Sequence, residues 1–335
     1  MMKTYIIAEI GPNHNGSLAL ALEMVGKLID VEVDAVKFQL TNPNELYSKD
    51  SFKADYQKER DIFKSPIEMS KRYQLTYEEH RILKDRCAEG GIDYLCSAFD
   101  MKSLKFIHEE LDVRKFKIPS GEIFSLDLIE YISKINKEII LSTGMATLNE
   151  IDYSLKLLNK NFKKKITLLH CVSNYPAPLE DVNLEVMKQL YKQFGLPVGF
   201  SDHTVGNICS PLAVAMGATV IEKHVTVNKN FDGPDHKASS TIEEFEQLVK
   251  SIRLTEKIIG VSNKLFSNQE DNIRKVARKS IVSSRIIKKG NTITKEDICF
   301  KRPGTGYLPI EINNVIGKKA KIDIEMDRVI KKEDI

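Results

Sequence analysis

Nowhere in this sequence do apolar residues run on for the ~20 positions that a membrane-spanning helix requires, so no membrane partner is expected. The first apolar run begins almost at Met1, with no signal peptide ahead of it, and the expected location is cytoplasmic. A surplus of charge is missing as well: 50 Lys and Arg stand against 47 Asp and Glu, a net charge of +3. The short basic clusters at 163–165 and 318–321 carry no interleaved aromatics, so they read as solvated faces and no nucleic acid is implied. Cysteines are few, five in all, odd in number and without close pairing, which fits reduced thiols and not a disulfide framework. Cys96 and Cys171 fall on predicted strands and are expected in the core. No GxGxxG follows the first strand, which counts against a dinucleotide-binding open sheet.

What is present is ordinary in amount and regular in arrangement. Apolar residues make up 42% and charged residues 29%, as in a soluble enzyme. At 335 residues the chain exceeds the ~250 of one barrel domain by enough for a small second module. Strand-like apolar runs are predicted at 4–9, 35–39, 92–100, 113–122, 138–144, 166–176, 196–204 and 219–226. Amphipathic helices lie between them, among others at 147–159, 184–193, 207–217 and 241–259. A long polar insertion follows the second strand, from 40 to about 74. Eight such alternations predict an α/β fold, a (β/α)8 TIM barrel over residues 1–260.

The polar residues fall at one end of these runs. Glu9, Lys37, Gln39, Ser97, Lys117, Ser120, Ser142, His170, Ser201, His203, Glu222 and His224 all sit at carboxyl ends, and in a barrel those ends form the catalytic rim. GFSDHT (199–204) and IEKHVT (221–226) are the two that organise the rest. Spacing by two puts Ser201 with His203 and Glu222 with His224 on shared faces, so two imidazoles face each other across neighbouring strands. Two hydrogen-bonded core histidines would satisfy the same pattern. With so many polar neighbours the pair reads instead as a site for a divalent cation that leaves most of its coordination to water and substrate. Lysines at strand ends serve as Schiff-base nucleophiles, phosphate partners or paired cations. With Ser120, Ser142 and Ser201 nearby, and the SGE and STG turns offering backbone amides, their most economical use is to hold a phosphate and a carboxylate together. Glu9 then moves a proton or orients a water while the metal polarises a carbonyl.

After Gly260 the texture changes. Residues 261–279 read as a polar linker with some helix, and 280–335 as a small β-rich module punctuated by KKG and GTG turns, marginal for independent stability.

Taken together, IIAEIGPNHNGSL, VKFQ, FKIPSGE, LSTGMAT, LLHC with YPAP, GFSDHT, IEKHVT, GPDHKAS and KRPGTG resemble the sialic acid synthase family, from residue 6 to residue 306 in the family's order. The resemblance implies a metal-dependent synthase condensing phosphoenolpyruvate with an N-acylated mannose-type sugar. It implies a C-terminal SAF domain of the type III antifreeze-like, β-clip kind, and a homodimer whose SAF domain is swapped onto the partner barrel. It further implies Mn2+, or another divalent ion such as Mg2+ or Co2+, on His203 and His224. Catalytic roles fall to Glu9, Lys117, His203 and His224. Lys37, Lys117, Ser120, Ser142 and Ser201 match positions that grip phosphoenolpyruvate, with Gln39 and Ser97 beside them. Tyr175 and Asp235 match sugar-side positions, and Arg302 an arginine sent into the partner's active site. N-acetylmannosamine is the default acceptor, giving N-acetylneuraminate; the alternative is a 2,4-diacetamido-2,4,6-trideoxyhexose, giving a legionaminic- or pseudaminic-type acid. Residues 173 and 174 and the stretch after the second strand depart from the family's usual wording, and both border the sugar. A keto-deoxy acid synthase using a phosphorylated sugar would need further basic residues on the rim. A catalytically dead carbohydrate-binding barrel would have lost Glu9 or the histidines.

Overall fold

A computed structural model of the chain describes residues 3–53, 63, 65–161, 165–261 and 263–335. Parts of the insertion (54–62 and 64), two lysines of the 163–165 cluster and one residue of the expected linker lie outside them. The chain divides into two compact units, Met1–Gly260 and Val261–Ile335.

In the first unit eight strands run in parallel: β1 Tyr5–Glu9, β2 Ala35–Leu40, β3 Asp93–Ala98, β4 Lys115–Ile118, β5 Glu138–Ser142, β6 Ile166–Cys171, β7 Val198–Asp202 and β8 Val220–Thr226. Their order is β3-β2-β1-β8-β7-β6-β5-β4, and β3 packs beside β4 without a ladder, so the sheet curls into a TIM-like barrel closed except at that seam. Continuous apolar runs were the mark of these strands because both faces are covered, one by helices and one by the barrel interior.

Alternation sorts the interior into layers. Ile7, Ala35, Leu95, Ile140, Leu169 and Val220 fill the middle. Below them, at the amino-terminal end, the Tyr5 hydroxyl donates to Asp93 at 2.6 Å and Lys115 Nζ to the same carboxylate at 3.0 Å, sealing that end with a polar plug. Conservation of register then lifts the next inward residue of each strand to the carboxyl-terminal end. Of the outer helices, Leu148–Leu158, Val186–Phe194, Cys209–Ala215 and Ile242–Ile259 lie close to their expected spans. Capping boxes begin two of them: Thr147 with Glu150, and Thr241 with Glu244. Among the described residues the insertion after β2 includes the short helices Pro43–Leu46 and Pro66–Arg72.

The second unit pairs β10 Ser280–Ser283 antiparallel with β11 Ile298–Lys301; in the first unit a short strand β9, Ser240–Thr241, pairs in parallel with the end of β8. A small core of Ile281, Ile287, Ile293, Val315, Ala320, Ile324 and Ile330 holds it together. The segment 261–279 carries the helix Asn268–Ala277, whose Lys275 carbonyl accepts from Gly304 N at 2.8 Å.

Candidate active site

The carboxyl-terminal end of the barrel opens into a cavity of about 420 Å3, within the range typical of small-molecule sites. Its floor is a buried charge cluster. Lys37 Nζ lies 2.9 Å from Glu9 and 3.7 Å from Glu222, and Lys117 Nζ lies 3.6 Å from Glu222. All four are at most 5% exposed, so these charges interact with little solvent screening.

The cluster separates the two carboxylates. For Glu222 burial alone would raise the pKa, but Lys117 and Lys37 outweigh it, with help from the Ser201 hydroxyl donating at 3.0 Å, and hold it below the usual carboxylate range. Glu9 is raised instead: burial is the main cause and Glu222 adds to it, against Lys37 and the Gln39 amide that donates at 2.8 Å. Two carboxyl groups with diverging affinities for a proton are the arrangement from which acid–base roles are made. The lysines diverge too. Burial is the largest influence on both; it lowers Lys117, whereas Glu222 and Glu9 overcome it at Lys37 and raise that ammonium. Gly11 is required beside Glu9, since its φ is +50° and a Cβ would stand 2.9 Å from Glu9 Oε1.

The serines form the second wall. Lys117 Nζ donates to Ser142 Oγ at 2.8 Å, and Gly144 N donates to Ser120 Oγ at 3.0 Å. Cys171 Sγ lies 3.2 Å from Ser120 Oγ; the residue is buried, as its strand position suggested, and it also lines the cavity with Ser173. Burial raises its pKa, which keeps it a poor nucleophile.

His203 and His224 face each other with ring centroids 5.7 Å apart, and Tyr175 packs against both. His203 Nδ1 sits 2.7 Å from the Val172 carbonyl, which fixes the proton there. Nε2 is therefore a bare acceptor. Its neighbour Ser201 Oγ, 3.2 Å away, gives its proton to Glu222. His224 Nδ1 is buried without a hydrogen bond and 3.6 Å from Asp235. Burial lowers both imidazoles, His203 to about 4, so both are neutral at pH 7. Two neutral rings with free lone pairs, one oriented through its other nitrogen by a carbonyl, suit a divalent cation. Among the described residues no group of three or more His, Cys, Asp or Glu side chains gathers as a metal site.

The structure thus brings Glu9, Lys37, Gln39, Lys117, Ser120, Ser142, Tyr175, Ser201, His203, His224 and Asp235 to one cavity. Two positions expected at the rim do not line it. Ser97 is fully buried off the cavity, its hydroxyl without a partner. His170 points outward, 2.6 Å from the Val182 carbonyl, because Leu169 and Cys171 own the inward parity of β6. Arg302, expected to serve the partner's site and not this one, is exposed in the second unit. His14 and His236 brace loops: Gly16 N donates to His14 Nδ1 at 3.0 Å, and His236 bridges Thr226 (2.7 Å) and Asn15 (3.1 Å). The outer half of the cavity was not foreseen in detail. Leu46, Tyr47, Met69 and Tyr73 from the insertion, with Phe99 and Met145, give it an apolar wall.

Comparison with known proteins identifies the family. Residues 24–264 match the NeuB family model and residues 278–335 the SAF domain model. The chain is 42% identical to the N,N'-diacetyllegionaminic acid synthase of Legionella pneumophila, across 96% of this chain and 92% of the relative. It is 33% identical to the human N-acetylneuraminate-9-phosphate synthase, across 98% and 92%. Among solved structures, the N-acetylneuraminic acid synthetase of Leptospira borgpetersenii, crystallised with citrate, superposes with a TM-score of 0.73 at 32% identity, covering 81% of this chain and 90% of that one. The chain belongs to the NeuB family, with a TIM-like barrel followed by a C-terminal SAF domain.

Proposed function

We propose that this protein condenses phosphoenolpyruvate with an uncharged, N-acylated hexose to give a nonulosonic acid and phosphate. The observation that carries the reading is the division of the cavity. Its lysines, Lys37 and Lys117, lie at the floor among Glu9, Glu222 and the serine wall, and would meet a carboxylate and a phosphate there. The outer half offers apolar surface and no Lys or Arg among its described lining residues. Among the described lining residues of this chain a phosphorylated sugar would find no cation there. A 2,4-diacetamido-2,4,6-trideoxyhexose, with a methyl group at C6 and a second acetamido group, fits that wall better than N-acetylmannosamine, and the 42% identity to a diacetyllegionaminic acid synthase points the same way.

In this reading Lys37 and Lys117 bind the anionic ends of phosphoenolpyruvate, and Gly144 N and the Ser120 and Ser142 hydroxyls orient its phosphate. His203 and His224 would hold Mn2+ or a similar divalent ion, which when bound polarises the sugar aldehyde. C3 of phosphoenolpyruvate bonds to the aldehyde carbon, whose oxygen takes the electron pair and a proton. Water adds at C2 and gives up a proton, and the C2–O bond to phosphate breaks to leave the keto acid. Glu9, whose pKa is raised, carries the proton between these oxygens. Tyr175 and Asp235 face the sugar, and in a homodimer with exchanged SAF domains Arg302 serves the partner's barrel.

The test is phosphate release from phosphoenolpyruvate by manganese-loaded protein with each of three acceptors: the diacetamido sugar, N-acetylmannosamine and its 6-phosphate. Release with the first and little with the last supports the reading. Release that needs the 6-phosphate contradicts it.

A further inference from the structure

One buried ion pair lies outside the cavity, directly behind its histidines. Asp202 and Lys223 are ladder partners on β7 and β8, each one residue before a histidine, and each is 1% exposed. Because parity alternates, Ser201 and Glu222 face the cavity while Asp202 and Lys223 face the helix Cys209–Ala215. The carboxylate accepts at both oxygens: Oδ1 from Thr204 N at 2.9 Å and Thr204 Oγ1 at 2.7 Å, and Oδ2 from Ser210 Oγ at 2.6 Å, with Lys223 Nζ 3.2 Å away. Lys223 Nζ also donates to the Thr204 carbonyl at 2.6 Å. The ammonium therefore touches both residues that bracket His203, from the strand that carries His224.

None of these atoms reaches the cavity, and a barrel wall does not need them. Buried charges are costly to retain, and well-packed apolar residues replace such pairs with little loss of stability. Residues placed behind a pair of ligating side chains in this way set the orientation of those side chains. We propose that Asp202 and Lys223 are positioning residues: their contact fixes the turn 202–204 against β8 and so sets the separation and ring orientation of His203 and His224. This rests on the metal reading above for its consequence, but not for its geometry.

The test uses Asp202→Asn/Lys223→Met, which removes both charges while leaving an amide oxygen to cap Thr204. Asp93→Asn/Lys115→Met removes the ion pair at the opposite end of the barrel and serves as control. The expected result is a 10–100-fold weaker Mn2+ affinity by electron paramagnetic resonance for the first variant and an unchanged affinity for the control, whatever their melting temperatures. A second readout works on metal-free protein. Nitrogen-15 spectra of the imidazoles should show His203 held in the Nδ1–H tautomer in the parent and the control, and averaging between tautomers in the first variant. Unchanged affinity and tautomer in Asp202→Asn/Lys223→Met overturn the proposal, as does equal weakening in the control. If the parent binds no Mn2+, the metal reading fails and the tautomer alone decides for or against the clamp.

Discussion

Lys37 Nζ stands 2.9 Å from Glu9 Oε2, both side chains buried, and it is the closest charge contact in the cavity. Burial keeps the Glu9 pKa raised even with this cation beside it, giving a carboxyl that takes up and returns a proton without leaving its position. Glu9→Gln keeps the Gln39 and Lys37 neighbours but cannot carry that proton. We expect kcat to fall about 10²–10⁴-fold with little change in the KM for phosphoenolpyruvate, measured by phosphate release.

Glu222 balances two buried lysines. Glu222→Gln leaves Lys37 and Lys117 short of negative charge, which for a buried pair costs about 3–5 kcal/mol. Phosphate or phosphoenolpyruvate would resupply it. Melting curves should therefore show a Tm drop in Glu222→Gln that is partly reversed by either anion, and by more than the parent gains. A drop that no anion reverses would mean that the floor is not an anion site.

Gly144 sits where the phosphate is expected. A Cβ there would collide with Ser173 Oγ and stand 2.8 Å from Cys171 Sγ and 2.9 Å from Ser120 Oγ. Gly144→Ala should raise the KM for phosphoenolpyruvate at least about 10-fold while leaving sugar KM within a factor of two to three; the interaction energy lost is about 1.4 kcal/mol per tenfold.

The legibility of this site in the sequence followed parity. The strands read clearly because parallel barrel strands are buried on both faces, and Ser201, His203, Glu222 and His224 read correctly because a spacing of two is a local property. His170 shows the limit: lying at the carboxyl end of a strand does not put a side chain inside, and only counting from Leu169 would have shown that Cys171 is the inward residue. The bridging role of Glu222 depends on Lys37 and Lys117, far away in the chain, and the apolar wall depends on Leu46, Tyr47, Met69 and Tyr73 of the insertion reaching the cavity. Neither is encoded in a local period.

Stability should fall in acid for a reason unrelated to the active-site pair. Burial lowers His14 to about 3 and His80 to about 4, and His80 Nε2 has no hydrogen-bond partner. The unfolded chain, with imidazoles near 6.5, binds these protons first, so stability is full above that value and is lost as pH falls from there towards 4. Each ring should contribute about 2 kcal/mol of loss between pH 7.5 and 5. Urea midpoints across that range check it, and His80→Gln should flatten the slope.

The central claim is tested most directly with phosphoenolpyruvate labelled with oxygen-18 at the bridging position, incubated with manganese-loaded protein and 2,4-diacetamido-2,4,6-trideoxymannose, and read by mass spectrometry. The account predicts a condensed keto acid without label and inorganic phosphate that carries it, because water supplies the C2 oxygen and the C–O bond breaks. A condensed acid retaining the label, or labelled phosphate with no condensed acid, would contradict it.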